Sequence, residues 1–490
     1  MVPFAPYLPD LAALNTGASF QALNVTPSQS GYLPVASLGS TTSALTARAQ
    51  GLISVRGLSG TIHNFAGDAT KLYKLSTDGL TWNDVSRTVG GVYATAADGW
   101  WDFTLYGDRV IATNNVDAVQ VFQVDVSTNF TALAGTPPIS AFTGNIRDFA
   151  ILARQNTNWN RIRWSAIANV QDWVSSSTTL SDFQDFPDAG AIMGFVGGEY
   201  GLVFLERAIY RQAFEGPPTI FRFDKISNTL GCRIERSIAS YQDLAFFLSN
   251  DGFYMIQGGS QIIPIGNQKV DRTIDALLNG SLLFRCSAAI DPIRKIYVMA
   301  FASTQSATDP DMMLVYHWPS GQWSTITTNM QIISTSATQS GYTLDGLDVV
   351  SASLDALPFS LDSRAYIGSG RLLLSAFDTT NKFGYFTGAN LAATIETGDI
   401  QLTPWKKSML KSLRPMVEGT SVTPSIAIKS RDRMQDGYST SSAIVTNAIG
   451  TCPFRVNARY HRAVLTIPAS STWAFAQGID DINFIATGTR

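Results

Sequence analysis

The sequence predicts a mostly β chain: a β-propeller of about six or seven blades followed by a C-terminal β-sandwich or barrel-like domain. Three observations predict it. Short apolar or alternating segments recur between Gly, Asn and Asp turns, and long stretches of helical period are almost absent. Strand pairs return at a fixed distance: with Ile62, Val110, Ile151, Val203, Ala245 and Ile296 as equivalent positions, the gaps are 48, 41, 52, 42 and 51 residues. That spacing is close to the period of a propeller blade. Several units also end on a tryptophan, at Trp82, Trp173 and Trp323. Radial repetition is favoured over a plain sandwich because closing a ring hides the edges of many similar sheets.

The units follow in order. Ile62–Phe65, Leu72–Leu75 and Trp82–Val85 form the first meander, and Trp101–Leu105, Arg109–Thr113 and Val119–Phe122 the second. Phe149–Ala153 with Arg161–Trp164 makes the third, Gly201–Leu205 with Ile209–Arg211 the fourth. Leu244–Leu248 with Phe253–Ile256 and Lys295–Met299 with Leu314–His317 complete six. A Ser/Thr/Gly-rich stretch follows, in which Gly341–Asp348 reads as a long ordered loop and Ser363–Ile367, Leu372–Phe377 and Phe383–Phe386 as strands. The last strands are Thr394–Thr397, Ser425–Ile428, Ala463–Ile467 and a final one near Ile482–Phe484. The domain reading is therefore 1–47 for an extended N-terminal arm and first strands, 48–327 for the propeller, 328–391 for a loop-rich connection and possible closing blade, and 392–490 for the C-terminal β domain. The aromatic unit ends are expected to pack between blades, where a large ring buries much area.

Composition narrows the functional classes. Only 15% of the 490 residues are charged and the net charge is -3, against roughly 25% charged in an ordinary domain. A protein that wraps nucleic acid needs an excess of Lys and Arg, and a disordered acidic chain needs a large net charge. Neither fits. Apolar runs stay strand-sized, far below the roughly 18 residues of a membrane helix, and the Pro-spaced N-terminus carries no secretory pattern, so folding in a cytoplasm is expected. Cys232, Cys286 and Cys452 stand far apart with no CxxC pair and read as structural thiols.

Chemistry-bearing motifs are sparse. His63, His317 and His461 have no ligand neighbours at metal spacing, and the GxSxG and GxxxxGK[ST] signatures are absent. The acidic run Asp182, Asp185 and Asp188 invites a glycosidase reading, against which stand an exposed loop between blades and a cation site made of oxygens. Asn250-Asp251-Gly252 reads as a hairpin turn, with Asp243 as a weak companion for an oxygen-ligand loop. The basic segment Lys406, Lys407, Lys411 and Arg414 is expected to be a solvated face or a subunit contact. Catalytic, cofactor-binding and metal residues are each expected to be none, and the chain is expected not to be an enzyme.

Certain positions carry a family likeness. Tyr7-Leu8-Pro9-Asp10-Leu11, Asn24-Val25-Thr26-Pro27, Gly31-Tyr32-Leu33-Pro34, Gly197-Gly198-Glu199-Tyr200-Gly201 and Glu206-Arg207-Ala208-Ile209-Tyr210 recur in that order. With Gly252-Phe253-Tyr254, Ile263-Pro264-Ile265-Gly266 and Tyr460-His461-Arg462-Ala463, the chain resembles the tail nozzle, packaged-DNA stabilisation or tail tubular proteins of short-tailed bacteriophages. The resemblance implies a propeller in each subunit and a homo-hexameric ring in the virion tail, made in the host cytoplasm. It implies head-to-tail adaptor or connector proteins and tail fibre or needle proteins as partners. The genome would be retained and then conducted through the channel without sequence specificity, and no cofactor or membrane span is implied. The N-terminal segment would be an arm docking on a neighbour, the loop Ile332–Asp348 a candidate gate, and the lumen neutral or acidic. Rival readings are a receptor- or glycan-binding propeller at the tail tip, using Trp100 and Trp101, and a propeller glycosidase using Asp182 and Asp185.

Overall fold

A computed structural model describes residues 2–14, 17–338, 351, 353–356 and 370–488. Seven four-stranded meanders radiate around one axis, so the chain is a seven-bladed β-propeller with a β-sandwich attached. Blade 1 is Gly51–Arg56, Ile62–Gly67, Leu72–Leu75 and Trp82–Asp84; blade 2 is Asp102–Tyr106, Arg109–Thr113, Gln120–Gln123 and Thr131–Ala132. Blade 3 is Ser140–Ile146, Phe149–Gln155, Asn158–Trp164 and Asp182–Asp185; blade 4 is Ile192–Val196, Gly201–Leu205, Ile209–Gly216 and Ile220–Ser227. Blade 5 is Ala239–Tyr241, Leu244–Leu248, Phe253–Gln257 and Gln261–Pro264; blade 6 is Ser287–Asp291, Ile296–Phe301, Met312–His317 and Gln322–Thr327. Each of the six positions used for the sequence repeat falls on the second strand of its blade. That strand is the most completely buried one, so its apolar pattern is the strongest.

The seventh blade is built from both sides of the ring. Ile332–Ala337, Leu372–Phe377 and Lys382–Tyr385 take their outermost strand from Gly39–Ala44. The N-terminal strand thereby latches the ring, and Trp82 seals the seam: its ring lies 5.6 Å from Phe377 and 5.8 Å from Phe383, and its Nε1 donates to Thr42 Oγ1 at 3.2 Å. The other unit-ending tryptophans are buried as well, Trp173 between blades 2 and 3 and Trp323 against Phe253 of blade 5. Trp173 sits in the connection before the outer strand of blade 3, not on the strand itself. Gly341–Asp348 and Ser363–Ile367 lie outside the described residues.

The sandwich has two facing sheets. One holds Val25–Ser28, Gly31–Pro34, Thr472–Ala486, Ser408–Ser421 and Cys452–Ala458; the other holds Ser19–Leu23, Ala393–Thr397, Tyr460–Ile467 and Ser425–Arg431. The second sheet is continuous with blade 6 through a parallel pairing of Leu23 with Thr325. Asn24 turns the chain from one sheet to the other at φ 58°, a left-handed conformation that Asn tolerates. Its side chain fixes the corner, donating to Ala392 O and accepting from Thr327 N–H, both at 2.8 Å.

The extended-arm expectation needs correction. Val2–Pro3 pairs with Gly478–Ile479 of the same chain, and Phe4 and Tyr7 are 6% exposed inside the sandwich core. Pro-spaced backbone is extended, as expected, but its apolar side chains find their cover at home. Helix α1 (Asp271–Leu277) was not foreseen; Val270, Ile274 and Leu278 form its buried stripe.

Candidate functional site

In an up-and-down blade the loop entering the inner strand and the loop joining strands two and three emerge on the same end of the ring. Arg48, Trp100, Glu235, Arg236, Phe284 and Arg285 sit at loops that enter blades 1, 2, 5 and 6, while Arg154 and Asp309 sit at loops joining strands two and three of blades 3 and 6. All of them therefore converge on one mouth of the central channel.

Trp100 spans that mouth. It is 7% exposed, and its Nε1 donates to Phe284 O at 2.8 Å, tying the approach to blade 2 to the approach to blade 6. Guanidinium groups cover its ring, Arg236 at 5.2 Å and Arg48 at 5.7 Å from the centroid. Arg236 donates to Asp102 at 2.9 Å, whose other oxygen accepts from Thr143 N–H at 2.8 Å. Arg154 pairs with Glu235, Arg48 with Asp309 at 3.2 Å and Arg233 with Asp275 at 2.6 Å. Burial raises the Asp102 carboxyl above the usual carboxylate range, with Arg236 opposing it. Burial, helped by the charge of Arg285, lowers Arg48 to about 10. A cavity of about 250 Å³ remains beside Trp100, lined also by Asp98, Arg233 and Phe284.

Arg233 also borders a second cavity of about 500 Å³ at blade 5. Asp10 frames it and caps α1, accepting from the N–H groups of Arg272 and Thr273 at 2.9 Å. Asp271 lies on the cavity wall and accepts from Phe253 N–H at 3.1 Å. A Cβ at Gly252 or Gly266 would come within 2.2 or 1.9 Å of its carboxylate, so only glycine lets it seat there. Burial first, then the charges of Asp10 and Asp251, push Asp271 up to about 6.

The remaining sequence candidates are dispersed. Asp182 and Asp185 lie on the outer strand of blade 3, not in a loop, and their three-residue spacing turns them to opposite faces. Asp185 is held bidentately by Arg161 at 2.6 and 2.7 Å, an ion pair rather than an acid/base couple. Trp100 and Trp101 are 7% and 1% exposed, which removes them as sugar platforms. Asp243 and Asp251 sit at opposite ends of blade 5 and share no loop; Asp251 accepts from Tyr254 Oη at 2.7 Å in a hairpin turn. His63 contacts Asp125 at 2.8 Å, His317 contacts Ser320 at 2.7 Å and His461 contacts Ser408 Oγ at 3.1 Å. Burial lowers all three imidazoles. Among the described residues no three His, Cys, Asp or Glu side chains gather as a metal site. The three cysteines are buried and unpaired. In the basic segment Lys407 pairs with Asp432 at 2.6 Å and Arg414 with Asp481 at 3.0 Å, while Lys406 and Lys411 are exposed.

Sequence reasoning missed both ionic clusters. The second lies in the sandwich, where Arg462 pairs with Glu396 at 2.7 Å and Asp399 at 3.0 Å, Lys429 with Glu396 at 2.6 Å, and Arg431 with Asp399. Arg462 also stacks 4.6 Å over Phe20 and 4.6 Å over Tyr438. Only the run His461-Arg462 hinted at it.

Fold and mouth together define a seven-bladed propeller whose channel mouth is bridged by side chains, fused to a β-sandwich. No family model and no curated protein matches the chain. Among solved structures, YCF48 bound to a D1 peptide aligns at 10% identity with a TM-score of 0.37, covering 60% of this chain and 86% of that one. A chain of the mitotic checkpoint complex aligns at 8% identity and TM-score 0.39, covering 74% and 96%. An exo-β-1,3-galactanase from Phanerochaete chrysosporium aligns at 11% identity and TM-score 0.28, covering 90% and 99%. The propeller rests on the chain's own sheets, and likeness at this level bears on neither activity nor partner. No helix among the described residues is long and apolar enough to cross a membrane.

Proposed function

We propose that the chain is a structural subunit of a short-tailed phage tail, a nozzle or tail-tube protein. Six copies would form a ring that retains the DNA genome and later conducts it. The observation that supports this most is the bridged mouth: with Trp100 tied to Phe284 O across the ring and covered by two guanidinium groups, the subunit's own axis would not be a conduit, so DNA would pass between copies. The sheet shared by blade 6 and the sandwich makes the subunit one stiff block, suited to a wall element. A 15% charge fraction suits a block whose flanks are covered by neighbours, and a neutral or acidic lumen would not trap the polyanion. In this reading the chain is not an enzyme, and the adaptor ring, tail fibres and DNA are its partners in the virion.

Native mass measurement on the purified chain, alone and mixed with a head-to-tail adaptor protein of a short-tailed phage, tests the reading. A hexamer in either sample is expected. A monomer that stays monomeric and binds no virion protein overturns it.

A further inference from the structure

One end of the sandwich carries a surface that neither the core nor the wall role uses. Ser408 lies opposite Ala458 and Ala486, and Arg431 opposite Tyr460, so five strands of the two sheets start or finish there. The loops at that end, 401–407 and 432–438, are tied to each other and to the last strand. Lys407 N–H donates to Gly488 O and its carbonyl accepts from Thr487 N–H, both at 2.9 Å, while its Nζ reaches Asp432 at 2.6 Å. Large apolar side chains nevertheless stand open: Trp405 is 85% exposed, Ile485 48%, and Phe484 and Met434 38% each. Trp405 also holds a left-handed backbone at φ 64°, an unfavourable setting for a bulky residue. Packing within the chain returns neither cost.

The charge around these side chains is positive. Lys406 and Arg433 are exposed on the two loops, and Lys411 and Arg455 on the outer face of adjacent strands whose inner face carries buried Leu410 and Phe454. None of these four cations makes an ion pair among the described residues. The neighbouring carboxylates are already engaged: Asp432 by Lys407 and Arg459, Asp399 by Arg431, and Asp480 and Asp481 opposite Arg414. Asp436, which accepts from Arg433 N–H at 3.0 Å, is the one further carboxylate on the two loops.

We infer that this end is a peripheral membrane-binding surface for the headgroup layer of an anionic lipid bilayer. Binding at such a layer has two components, attraction of cations to lipid phosphates and entry of apolar side chains into the boundary between headgroups and acyl chains. Both are present here on the same loops and strand end. Tryptophan suits that depth because its ring is apolar and its N–H polar. Nucleic acid would use the cations but would leave Ile485, Phe484 and Met434 in water. Since the whole chain has a net charge of -3, overall electrostatics oppose approach to an anionic surface, and attachment would come from this end alone.

Flotation of the full chain at low salt, with vesicles of equal parts phosphatidylglycerol and phosphatidylcholine and with phosphatidylcholine alone, tests the surface. Flotation with the anionic vesicles is expected, and less with phosphatidylcholine alone. Lys406→Ala, Lys411→Ala and Arg455→Ala should each weaken it about fivefold, and Trp405→Ala about tenfold, the scale of burying one large apolar side chain. Trp405→Phe should keep most of the binding but lose the blue shift of tryptophan fluorescence that vesicles cause in the wild type. All four positions are exposed, so the variants keep the fold, and circular dichroism checks this. No flotation with anionic vesicles, equal flotation with phosphatidylcholine alone, or full flotation of the variant lacking all three cations overturns the inference. So does a chain that stays off vesicles but binds a duplex DNA oligonucleotide, or one that stays off vesicles and whose oligomeric mass falls on Trp405→Ala, which would make this end a contact between copies. The inference does not rest on the ring reading: a hexamer that does not float sinks this inference alone, and a floating monomer that binds no virion protein sinks only the ring.

Discussion

The two ionic clusters of this molecule use the same residue types for different ends. In the sandwich, Arg462, Glu396 and Lys429 lie on adjacent strands of one sheet and Asp399 just past the end of Ala393–Thr397, and Arg462 and Asp399 are 8% and 0% exposed at the side chain. At the channel mouth, Arg236–Asp102 and Arg154–Glu235 join blades that no backbone hydrogen bond connects, and those side chains stay 20–34% exposed. The sandwich cluster sits where the ladder has already fixed the backbone of Glu396, Arg462 and Lys429. It therefore adds little new order and carries a full desolvation cost, which makes it sensitive to losing a partner. The mouth cluster closes long loops around a ring; Arg154 and Glu235 stay partly open to water, while burial still raises the Asp102 carboxyl opposite Arg236. Burial decides how much each pair is worth, and topology decides what it holds.

The sharpest break of this contrast is Arg462→Ala. It leaves Glu396 and Asp399 buried with only Lys429 and Arg431 as cations, and a loss of about 3 kcal/mol, the low end for breaking a buried pair, is expected. Urea denaturation should show it, with near-ultraviolet circular dichroism reporting loss of sandwich packing first. A loss below that of an exposed pair, about 0.5 kcal/mol, would show that the sandwich cluster is no more sensitive than a surface bridge.

Next in size is Trp100→Ala, with an expected loss of about 3 kcal/mol from cavity and transfer effects. The variant should also leave Arg236 and Arg48 more accessible, read as faster modification by an arginine-selective dicarbonyl. If both stability and accessibility stay at wild-type values, Trp100 does not bridge the mouth.

The smallest effect concerns the cavity at blade 5 and is conditional on pH. Asp271 keeps its proton up to about 6 when folded, against 3.8 as its ordinary value. A raised carboxyl pKa means the folded chain binds the proton more tightly, so this stabilisation is complete below pH about 4 and is lost as pH rises through about 6. Asp271→Asn should therefore stabilise the protein by ~2 kcal/mol at pH above about 7, after discounting for partial solvent access, and change little near pH 4. Melting temperatures across that range check it. A constant difference at all pH values would assign the effect to packing instead of charge.

Much of the propeller was legible in the residues. Ile62, Val110, Ile151, Val203, Ala245 and Ile296 mark second strands because those strands are covered on both faces and so must be apolar. The outer strands were harder: Asp182–Asp185 is an edge strand of mostly polar residues and reads as a loop. The role of Gly39–Ala44 as the seventh blade's last strand was illegible, since its partner Lys382–Tyr385 lies more than three hundred residues away. The site was less legible still. Trp100 read as a possible exposed platform because an aromatic pattern carries no sign of which side a neighbour will cover.

The sequence by itself determined that strands, turns and a repeat near 47 residues would dominate, because alternation and turn chemistry are local and survive without context. It also determined the low charge, which is a count. Only the tertiary structure decided that the N-terminal strand latches the ring, that Trp100 meets Phe284 across the channel mouth, and that Trp159 is left in solvent while Trp82, Trp173 and Trp323 are not. Those outcomes depend on which distant segments close a ring, and closure is a property of the whole chain that no local pattern encodes.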